Sequence, residues 1–303
     1  MKLNSIIIAT MALLASCSQS NQDIPNPSNA GPISALPSIF KQKLLIEEYT
    51  QVSCGQCPKA HYYADSLLAM WADKVYAVAI HVGDPLEAST NVNTSSGTNL
   101  LDSMFNTFMV YPSGSINRDI TSPLDLSPDL WFSKVQTKLG QIPACGLAID
   151  ASSAIVNNHL NVSVHTGFSQ NLSGDYRLQG YIVEKTVASL DSTYDQLNDF
   201  SSQGSSPDTA LSFYALNDTI HHYTHKYVLK KIIANSGIVG DLIPSAIMVK
   251  GNVFVKDYYV DITGINLSNS IIIFFVDKYG TTSTSHLIEN VQQVPIGSIK
   301  DWN

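Results

Sequence analysis

The chain has 303 residues and a formal net charge of −8, with 44% hydrophobic and only 14% charged residues. Its few lysines and arginines form no cluster that could neutralise a phosphate backbone, which argues against nucleic acid as a partner. The length suits one large domain or two ordinary ones, and we predict two.

The first residues have the layout of an export signal. An apolar run, residues 6–14, follows a lysine and leads through small residues to Cys17. The run is shorter than the roughly 20 apolar residues that a membrane-spanning helix needs. The sequence Leu-Ala-Ser-Cys resembles a bacterial lipobox, which implies a signal peptide over residues 1–17 and lipid attachment at Cys17. An ordinary signal with a chance cysteine is the alternative. Residues 18–40, rich in Ser, Asn, Gln and Pro, predict a flexible tether.

Residues 41–142 alternate strand-like and helix-like segments. The predicted order is strand 43–50, helix 60–71, strand 75–82, helix 100–108, strand 115–119 and a helix that Ser127 caps. This β-α-β-α-β-α order predicts an α/β domain. The continuous apolar character of 75–82 predicts a central strand with both faces covered.

The pattern changes in residues 143–303, where apolar and polar residues alternate over short segments separated by Ser, Asn, Gly and Asp. The predicted strands are 146–151, 159–166, 176–185, 252–261 and 270–277. Such a pattern predicts an all-β antiparallel sandwich, Ig-like or jelly-roll-like. Residues 190–218 predict a long surface loop that could touch a partner.

Cys54 and Cys57 form a C-x-x-C motif between a predicted strand and a predicted helix, a context typical of a thioredoxin-like redox site. Backbone N–H groups and the dipole at a helix N-terminus lower the pKa of a nearby thiol. We predict that Cys54 attacks and that Cys57, more shielded, resolves the mixed disulfide. A static disulfide and a copper or other metal site with His61 are the alternatives, although the metal site lacks a fourth ligand. Pro58 stands where haem attachment requires His.

The resemblance to thioredoxins implies two further site residues. Thioredoxins carry an acidic residue six positions before the first cysteine, and Glu48 stands there, so it is implied to relay the proton of Cys57. They also carry a cis-proline that faces the dithiol at the start of the third strand, and Pro112 matches it. The alternatives are an exposed strand carboxylate and a trans proline in a turn. The chain departs from thioredoxins at Ser53, where they have Trp, and lacks their Gly-Pro between the cysteines, so their reductive activity does not follow.

A narrower resemblance rests on three phrases, residues 47–50, 54–61 and 111–118. Together they resemble the outer-membrane-protein-twenty-eight family of Bacteroidetes envelope lipoproteins, and residues 223–231 and 288–291 resemble that family's later landmarks. The resemblance implies a lipid-anchored protein of the outer membrane with a thioredoxin-like first domain. It implies no defined activity.

The remaining histidines and the fourth cysteine have ordinary structural interpretations. His61 lies one turn after the second cysteine, where it is either a solvated helix residue or, if protonated, a group that favours the thiolate. We expect His81 to be a satisfied core histidine and Cys145 to be a buried apolar residue, with a mixed disulfide as the alternative for Cys145. A cluster of three histidines lacks a completing carboxylate, so we expect surface side chains rather than a metal site there: His221, His222 and His225.

The predicted function is thiol–disulfide exchange on exported proteins, with Cys54, Cys57, Glu48 and Pro112 forming the site. No cofactor or metal is predicted. The expected partners are exported proteins with thiols or disulfides, or an unknown surface ligand, and the membrane through the N-terminal lipid. The alternative is a non-enzymatic surface or binding lipoprotein that uses the thioredoxin-like domain as a scaffold with a structural disulfide.

Overall fold

The computed structural model describes residues 33–88, 97–106, 108–201, 212–282 and 285–302. Cys17, the predicted signal peptide and most of the predicted tether lie outside the described residues. The helices are α1 (Cys57–Met70), α2 (Gly97–Phe105) and α3 (Trp131–Lys138). The strands are β1 (Leu44–Thr50), β2 (Val75–His81), β3 (Ser113–Ile116), β4 (Cys145–Asp150), β5 (His159–Phe168), β6 (Tyr176–Val187), β7 (Gln196–Leu197), β8 (Thr219–Ile220), β9 (His225–Ile233), β10 (Asp241–Leu242), β11 (Val253–Asp261), β12 (Ser270–Lys278), β13 (Ile288–Pro295) and β14 (Ile299–Lys300).

Helices cover both faces of the first strands. Successive side chains of a strand point to opposite faces, so Leu44 and Ile46 of β1 face one side while Leu45 and Tyr49 face the other. The first pair packs in one apolar core with α1 and α3. The second pair packs in another core with α2. This two-sided cover explains why β1 and β2 are buried along their whole length.

The main sheet contains strands from both halves of the chain. Its order is β13-β12-β6-β9-β2-β1-β3, and β10 pairs with β6. β2 pairs in parallel with β1 on one side and with β9 on the other, so it is the central strand that its apolar sequence predicted. β3 is antiparallel to β1, and β6 is antiparallel to both β9 and β12. The sheet is therefore mixed.

A second, smaller sheet is antiparallel, with the order β11-β5-β4-β14. Its inner face packs on the β6, β12 and β13 part of the main sheet through a large apolar core, which includes Ile149, Val162, Leu178, Phe274 and Val294. Strands β7 and β8 form a separate two-stranded ribbon.

The predicted change of pattern at residues 142 and 143 falls between α3 and β4. The strands on its two sides nevertheless join one sheet, because β9 pairs with β2 at Ala79 and Val228. The chain is therefore a mixed α/β fold with one main mixed sheet and a separate small antiparallel sheet. The prediction of an all-β sandwich over 143–303 needs a correction, since the larger of the two packed sheets continues into β2, β1 and β3.

A fully buried charge cluster also joins the two halves. The guanidinium of Arg118 donates to both carboxylate oxygens of Glu47 at 2.7 and 2.8 Å, to the Tyr181 hydroxyl at 2.9 Å and to Gln179 at 3.2 Å. Asp277 lies 3.5 Å from the same guanidinium. Because these groups come from β1, β6, β12 and the turn after β3, the cluster fixes these elements relative to one another.

Each predicted strand and helix has a counterpart, with shifted ends. The α1 helix begins three residues before the predicted 60–71 segment, and β3 lies earlier than the predicted 115–119 segment. Two long strands, β9 and β13, were missed. In the described part of the chain, no helix is both long and apolar enough to cross a membrane.

Candidate functional site

Cys54 and Cys57 are joined by a disulfide, with their Cα atoms 5.4 Å apart. Cys54 lies in the turn after β1, and Cys57 is the first residue of α1. The Cys57 amide donates to the Cys54 carbonyl at 3.1 Å, which closes this turn. Cys54 is partly exposed, whereas Cys57 is fully buried. Of the two cysteines, only Cys54 is therefore accessible to a partner molecule.

Pro112 lies just before β3, at the same end of the sheet as the turn that follows β1 and carries Cys54. The Tyr111–Pro112 peptide bond is cis. Ser113 pairs with Tyr49, so Pro112 stands beside the last residues of β1. The Tyr111 hydroxyl donates to the buried carboxylate of Asp102 at 2.7 Å, and this bond ties the residue before the proline to α2.

Glu48 is a buried carboxyl and not the exposed strand carboxylate that the sequence left open. It is 3% exposed, and its Oε1 has no hydrogen-bond partner. The Nε2 atom of His61 lies 3.3 Å from Oε1. Burial, with a smaller contribution from the charge of Asp65, raises the pKa of Glu48 well above its ordinary value. Burial therefore favours the neutral form of this carboxyl.

His61 is also enclosed, so the alternative of a solvated helix residue is wrong. Its Nε2 lies 3.0 Å from the Thr50 hydroxyl, and its Nδ1 lies 2.9 Å from the Tyr223 hydroxyl. Burial, aided by the neighbouring His81 and His225, lowers the pKa of His61 well below its ordinary value. The alternative of a protonated His61 that favours the thiolate is also wrong, because desolvation keeps the imidazole neutral. Glu48 and His61 form a polar contact rather than an ion pair.

A small pocket opens beside this contact, with about 250 Å³ of empty space including its mouth. The half-exposed ion pair between Lys226 and Asp65, at 2.7 Å, stands at the pocket. The lining residues are Glu48, His61, Ala64, Asp65, Tyr223, Lys226 and Tyr227. The pocket therefore places Glu48 and His61 beside a half-exposed ion pair.

His81 is a core histidine, as the sequence predicted, but it is only partly satisfied, because its Nε2 has no hydrogen-bond partner. It is 1% exposed, and its Nδ1 lies 2.8 Å from Asp84. The same Asp84 oxygen accepts from the Val52 amide at 2.9 Å. The pair of His81 and Asp84 therefore holds the Val52 amide in the turn that carries Cys54.

The three histidines of the 221–225 segment do not gather. His221 and His222 are exposed, and His221 contacts Asp195 at 2.6 Å. His225 is buried, which corrects its prediction as a surface side chain, and its Nε2 donates to the Tyr194 carbonyl at 2.8 Å. Burial lowers the pKa of His225 to about 4. Among the described residues, no group of three or more His, Cys, Asp or Glu side chains is placed to hold a metal ion.

Part of the predicted 190–218 loop covers the dithiol turn. We call residues 194–200 the strap. The amide of Gln196 is fully buried and donates to the carbonyls of Cys54 at 2.9 Å and Val52 at 3.2 Å. Residues 202–211 of the predicted loop lie outside the described residues.

Two backbone bonds complete the contact between the strap and the turn. The Leu197 amide donates to the Val52 carbonyl, and the Asp199 amide donates to the Gly55 carbonyl, both at 2.9 Å. A Cβ atom at Gly55 would lie 2.0 Å from the carboxylate of the exposed Asp199, so a larger residue there would require that side chain to move. No sequence pattern indicated this contact, since Gln196 lies 142 residues after Cys54.

Cys145 is a free and fully buried cysteine, as predicted. Burial, with a smaller contribution from Glu289, raises the pKa of its thiol well above the ordinary value. The thiol is therefore inert in the folded protein.

The fold and the site define a mixed α/β protein with a half-accessible disulfide at a helix N-terminus. The model of the family described as outer membrane protein Omp28 matches residues 73–300, so the chain belongs to the Omp28 family. Its name places the family at the outer membrane of the cell envelope. No curated protein matches the chain in sequence.

One solved structure has a similar fold, and a second gives a weaker superposition. HBP35 of Porphyromonas gingivalis superimposes with a TM-score of 0.65 and 15% identity, over 85% of this chain and 76% of that one. Protein AGR_C_4864 from Agrobacterium tumefaciens gives a TM-score of 0.49 and 10% identity, over 85% of this chain and 95% of that one. At this identity the likeness to HBP35 concerns the fold alone. The family match begins after Cys57, so the dithiol has to be interpreted from its own geometry.

Proposed function

We propose that the chain is a lipid-anchored envelope protein in which residues 41–142 form a thioredoxin-like unit. In this proposal the Cys54–Cys57 pair exchanges disulfides with exported proteins at the outer membrane. The observation that carries the proposal is the unequal exposure of the two cysteines at the start of α1. Thiol exchange needs one reachable sulfur and one protected sulfur beside it. A disulfide with only a structural role needs no such asymmetry.

The chemistry requires no cofactor. In the reduced protein, the Cys54 thiolate attacks a substrate disulfide, and one substrate thiolate leaves. Cys57 then gives up its proton and attacks the Cys54 sulfur, so the Cys54–Cys57 bond forms as the second substrate thiolate leaves. Pro112 borders the place where the substrate chain would lie.

Glu48 would serve the proton transfers of Cys57. It packs against His61, one helical turn after Cys57. When an incoming thiolate opens the disulfide, the released Cys57 thiolate takes the proton of the neutral Glu48 carboxyl. In the other direction the Glu48 carboxylate accepts that proton. The raised pKa of Glu48 suits this exchange, because it approaches the pKa of a thiol.

The first test is the reduction potential of the pair, by titration with glutathione and mass-tagged trapping of thiols. A potential between about −120 and −270 mV would support a working exchanger. A potential below about −300 mV would refute the proposal and identify a structural disulfide.

A second test measures catalysis of disulfide reduction in a model peptide. We expect the Cys54→Ser variant to fall to the uncatalysed rate. The matched control is Cys145→Ser, which removes a buried thiol elsewhere and should retain the wild-type rate in the folded fraction. Equal rates for Cys54→Ser and the wild type would exclude exchange.

The alternative, a non-enzymatic binding protein, is favoured by one observation. The strap occupies the backbone carbonyls of Val52, Cys54 and Gly55, as in a turn built for stability. In that case the Cys54→Ser variant would lose stability without losing any catalytic rate.

The lipid anchor is tested separately with Cys17→Ser. We expect this variant to move from the membrane fraction to the soluble fraction of the envelope and to lose incorporation of labelled fatty acid. The Cys145→Ser variant is again the control, and unchanged membrane association of Cys17→Ser would contradict the anchor.

A further inference from the structure

The turn that carries Cys54 is held on one side by the strap, and Gln196 is the centre of this contact. Its amide nitrogen lies within 3.4 Å of four carbonyl oxygens, three of them in the dithiol turn: those of Gln51, Val52 and Cys54. The fourth is the carbonyl of Leu197. Among the described residues, no other side chain donates a hydrogen bond to the Cys54 carbonyl. Gln196 therefore fixes the backbone of the cysteine that a partner can reach.

The strap is itself anchored from behind. Gln196 and Leu197 pair with Ile220 and Thr219 in the β7–β8 ribbon. The buried amide of Asn198 donates to the Phe213 carbonyl at 2.9 Å. The strap is thus a formed element that presents its donors to the turn, rather than a loose loop lying on it.

The opposite side of the turn is held as well. Asp84 accepts the Val52 amide, while the strap takes the Val52 carbonyl. A turn clamped on both sides keeps its two cysteines close together, since the Cα atoms of a disulfide must lie within about 7 Å of each other. The observed separation is 5.4 Å. Reduction removes the covalent link, so the hydrogen bonds alone then set this separation.

We propose that Gln196 is a positioning residue that binds the dithiol turn more strongly in the disulfide form than in the dithiol form, and so lowers the reduction potential of the Cys54–Cys57 pair. The contact can shift the redox equilibrium only by the difference between its strengths in the two states. This inference rests on the proposed function, because a lower reduction potential matters only if the pair exchanges disulfides, where it sets the direction of exchange. The reaction itself is balanced by glutathione: two glutathione thiols become one glutathione disulfide as the Cys54–Cys57 bond is replaced by two thiols.

The test compares reduction potentials by glutathione titration of the whole protein. Gln196→Met keeps the length of the side chain and removes its donors. We expect its reduction equilibrium to shift about tenfold towards the dithiol, which is about 30 mV less negative for a two-electron couple. The matched control is Gln42→Met, because the buried amide of Gln42 also donates to two backbone carbonyls, those of Lys43 and Glu289, away from the dithiol. Equal potentials for Gln196→Met, Gln42→Met and the wild type would overturn the proposal.

A second measurement needs no substitution, so it holds even if Gln196→Met does not fold. Amide hydrogen exchange of the wild type is followed in the oxidised and the reduced protein. We expect the Leu197 and Asp199 amides, which bond to the turn, to exchange about tenfold faster after reduction, while the Val162 amide in the core changes little. Equal protection of the strap amides in both redox states would overturn the proposal.

The two proposals fail in different ways. The proposed function fails if the wild-type potential lies in the structural range, whatever the variant does. The role of Gln196 fails if the variant leaves the potential unchanged, whatever the wild-type value is.

Discussion

Replacing Arg118 by methionine should be among the most destabilising single changes in the chain. The guanidinium is 1% exposed, binds both oxygens of Glu47, and lies 4.0 Å from the ring of Phe105. Its removal leaves the carboxylates of Glu47 and Asp277 buried without their cation. Breaking a buried ion pair from one side costs about 3–5 kcal/mol. This is a large part of the roughly 5–15 kcal/mol by which folded domains are stable.

Urea unfolding, followed by tryptophan fluorescence, measures this cost. With a slope near 3 kcal/mol per molar urea, the expected loss lowers the midpoint by about 1–1.7 M. The control is Arg177→Met. Arg177 also binds a carboxylate with two nitrogens, that of Asp175, and lies 3.8 Å from an aromatic ring, but its side chain is 20% and that of Asp175 37% exposed. A pair in solvent contributes about 0–1 kcal/mol. Equal midpoint shifts for the two variants would refute the reasoning from burial.

Further predictions concern groups whose ionisation the fold controls. In the folded protein His225 stays neutral down to about pH 4, whereas in the unfolded chain it takes up a proton below about pH 6.5. The free energy of unfolding should therefore fall by up to about 3 kcal/mol as the pH is lowered between these values. The urea midpoint of His225→Gln should fall less than that of the wild type over the same pH window. Glu48 stays protonated in the folded state above its ordinary pKa of 4.5, so the wild type should lose stability as the pH rises from 4.5. The Glu48→Gln variant should therefore be more stable than the wild type at pH 7, by about 1 kcal/mol. A urea midpoint of the variant below that of the wild type would contradict this. After reduction, a thiol reagent should label Cys54 in the native protein at once and Cys145 only on unfolding, as peptide mass mapping would show; rapid labelling of Cys145 would contradict its burial.

Much of the local structure could be predicted from the sequence. A compact apolar segment followed by Cys54 and by apolar residues at helical spacing predicted β1, the turn and α1 in the right order. The apolar run of β2 predicted its central place in the sheet. These features could be predicted because periodicity and burial leave their mark within a single segment.

The strand β9 shows why other elements were missed. Its sequence includes three lysines, which interrupt the apolar alternation of a buried strand. One of them, Lys231, is nevertheless largely buried, since its ammonium donates to the carbonyl and the carboxylate of Asp261. The compensating partner lies 30 residues further along the chain, so no local pattern could show that a lysine is tolerated there.

The chemical state of the residues that the sequence suggested depended on tertiary contacts. The sequence suggested Glu48 and His61, but the shifted pKa of each follows from burial between β1, α1 and the segment with Tyr223. Gln196 carried no signal at all, because an isolated glutamine in a polar segment is indistinguishable from a surface residue.

The sequence by itself therefore determined the dithiol, the strand and helix around it, and the change from an α/β to a β pattern after residue 142. Only the tertiary structure decided that β9 joins β2 in one sheet, that Arg118 meets Asp277 across 159 residues, and that the strap reaches the Cys54 turn. The physical reason is that hydrophobic periodicity is a property of neighbouring residues, whereas strand partners and buried polar pairs are chosen by which unpaired edges and charges the whole fold brings together.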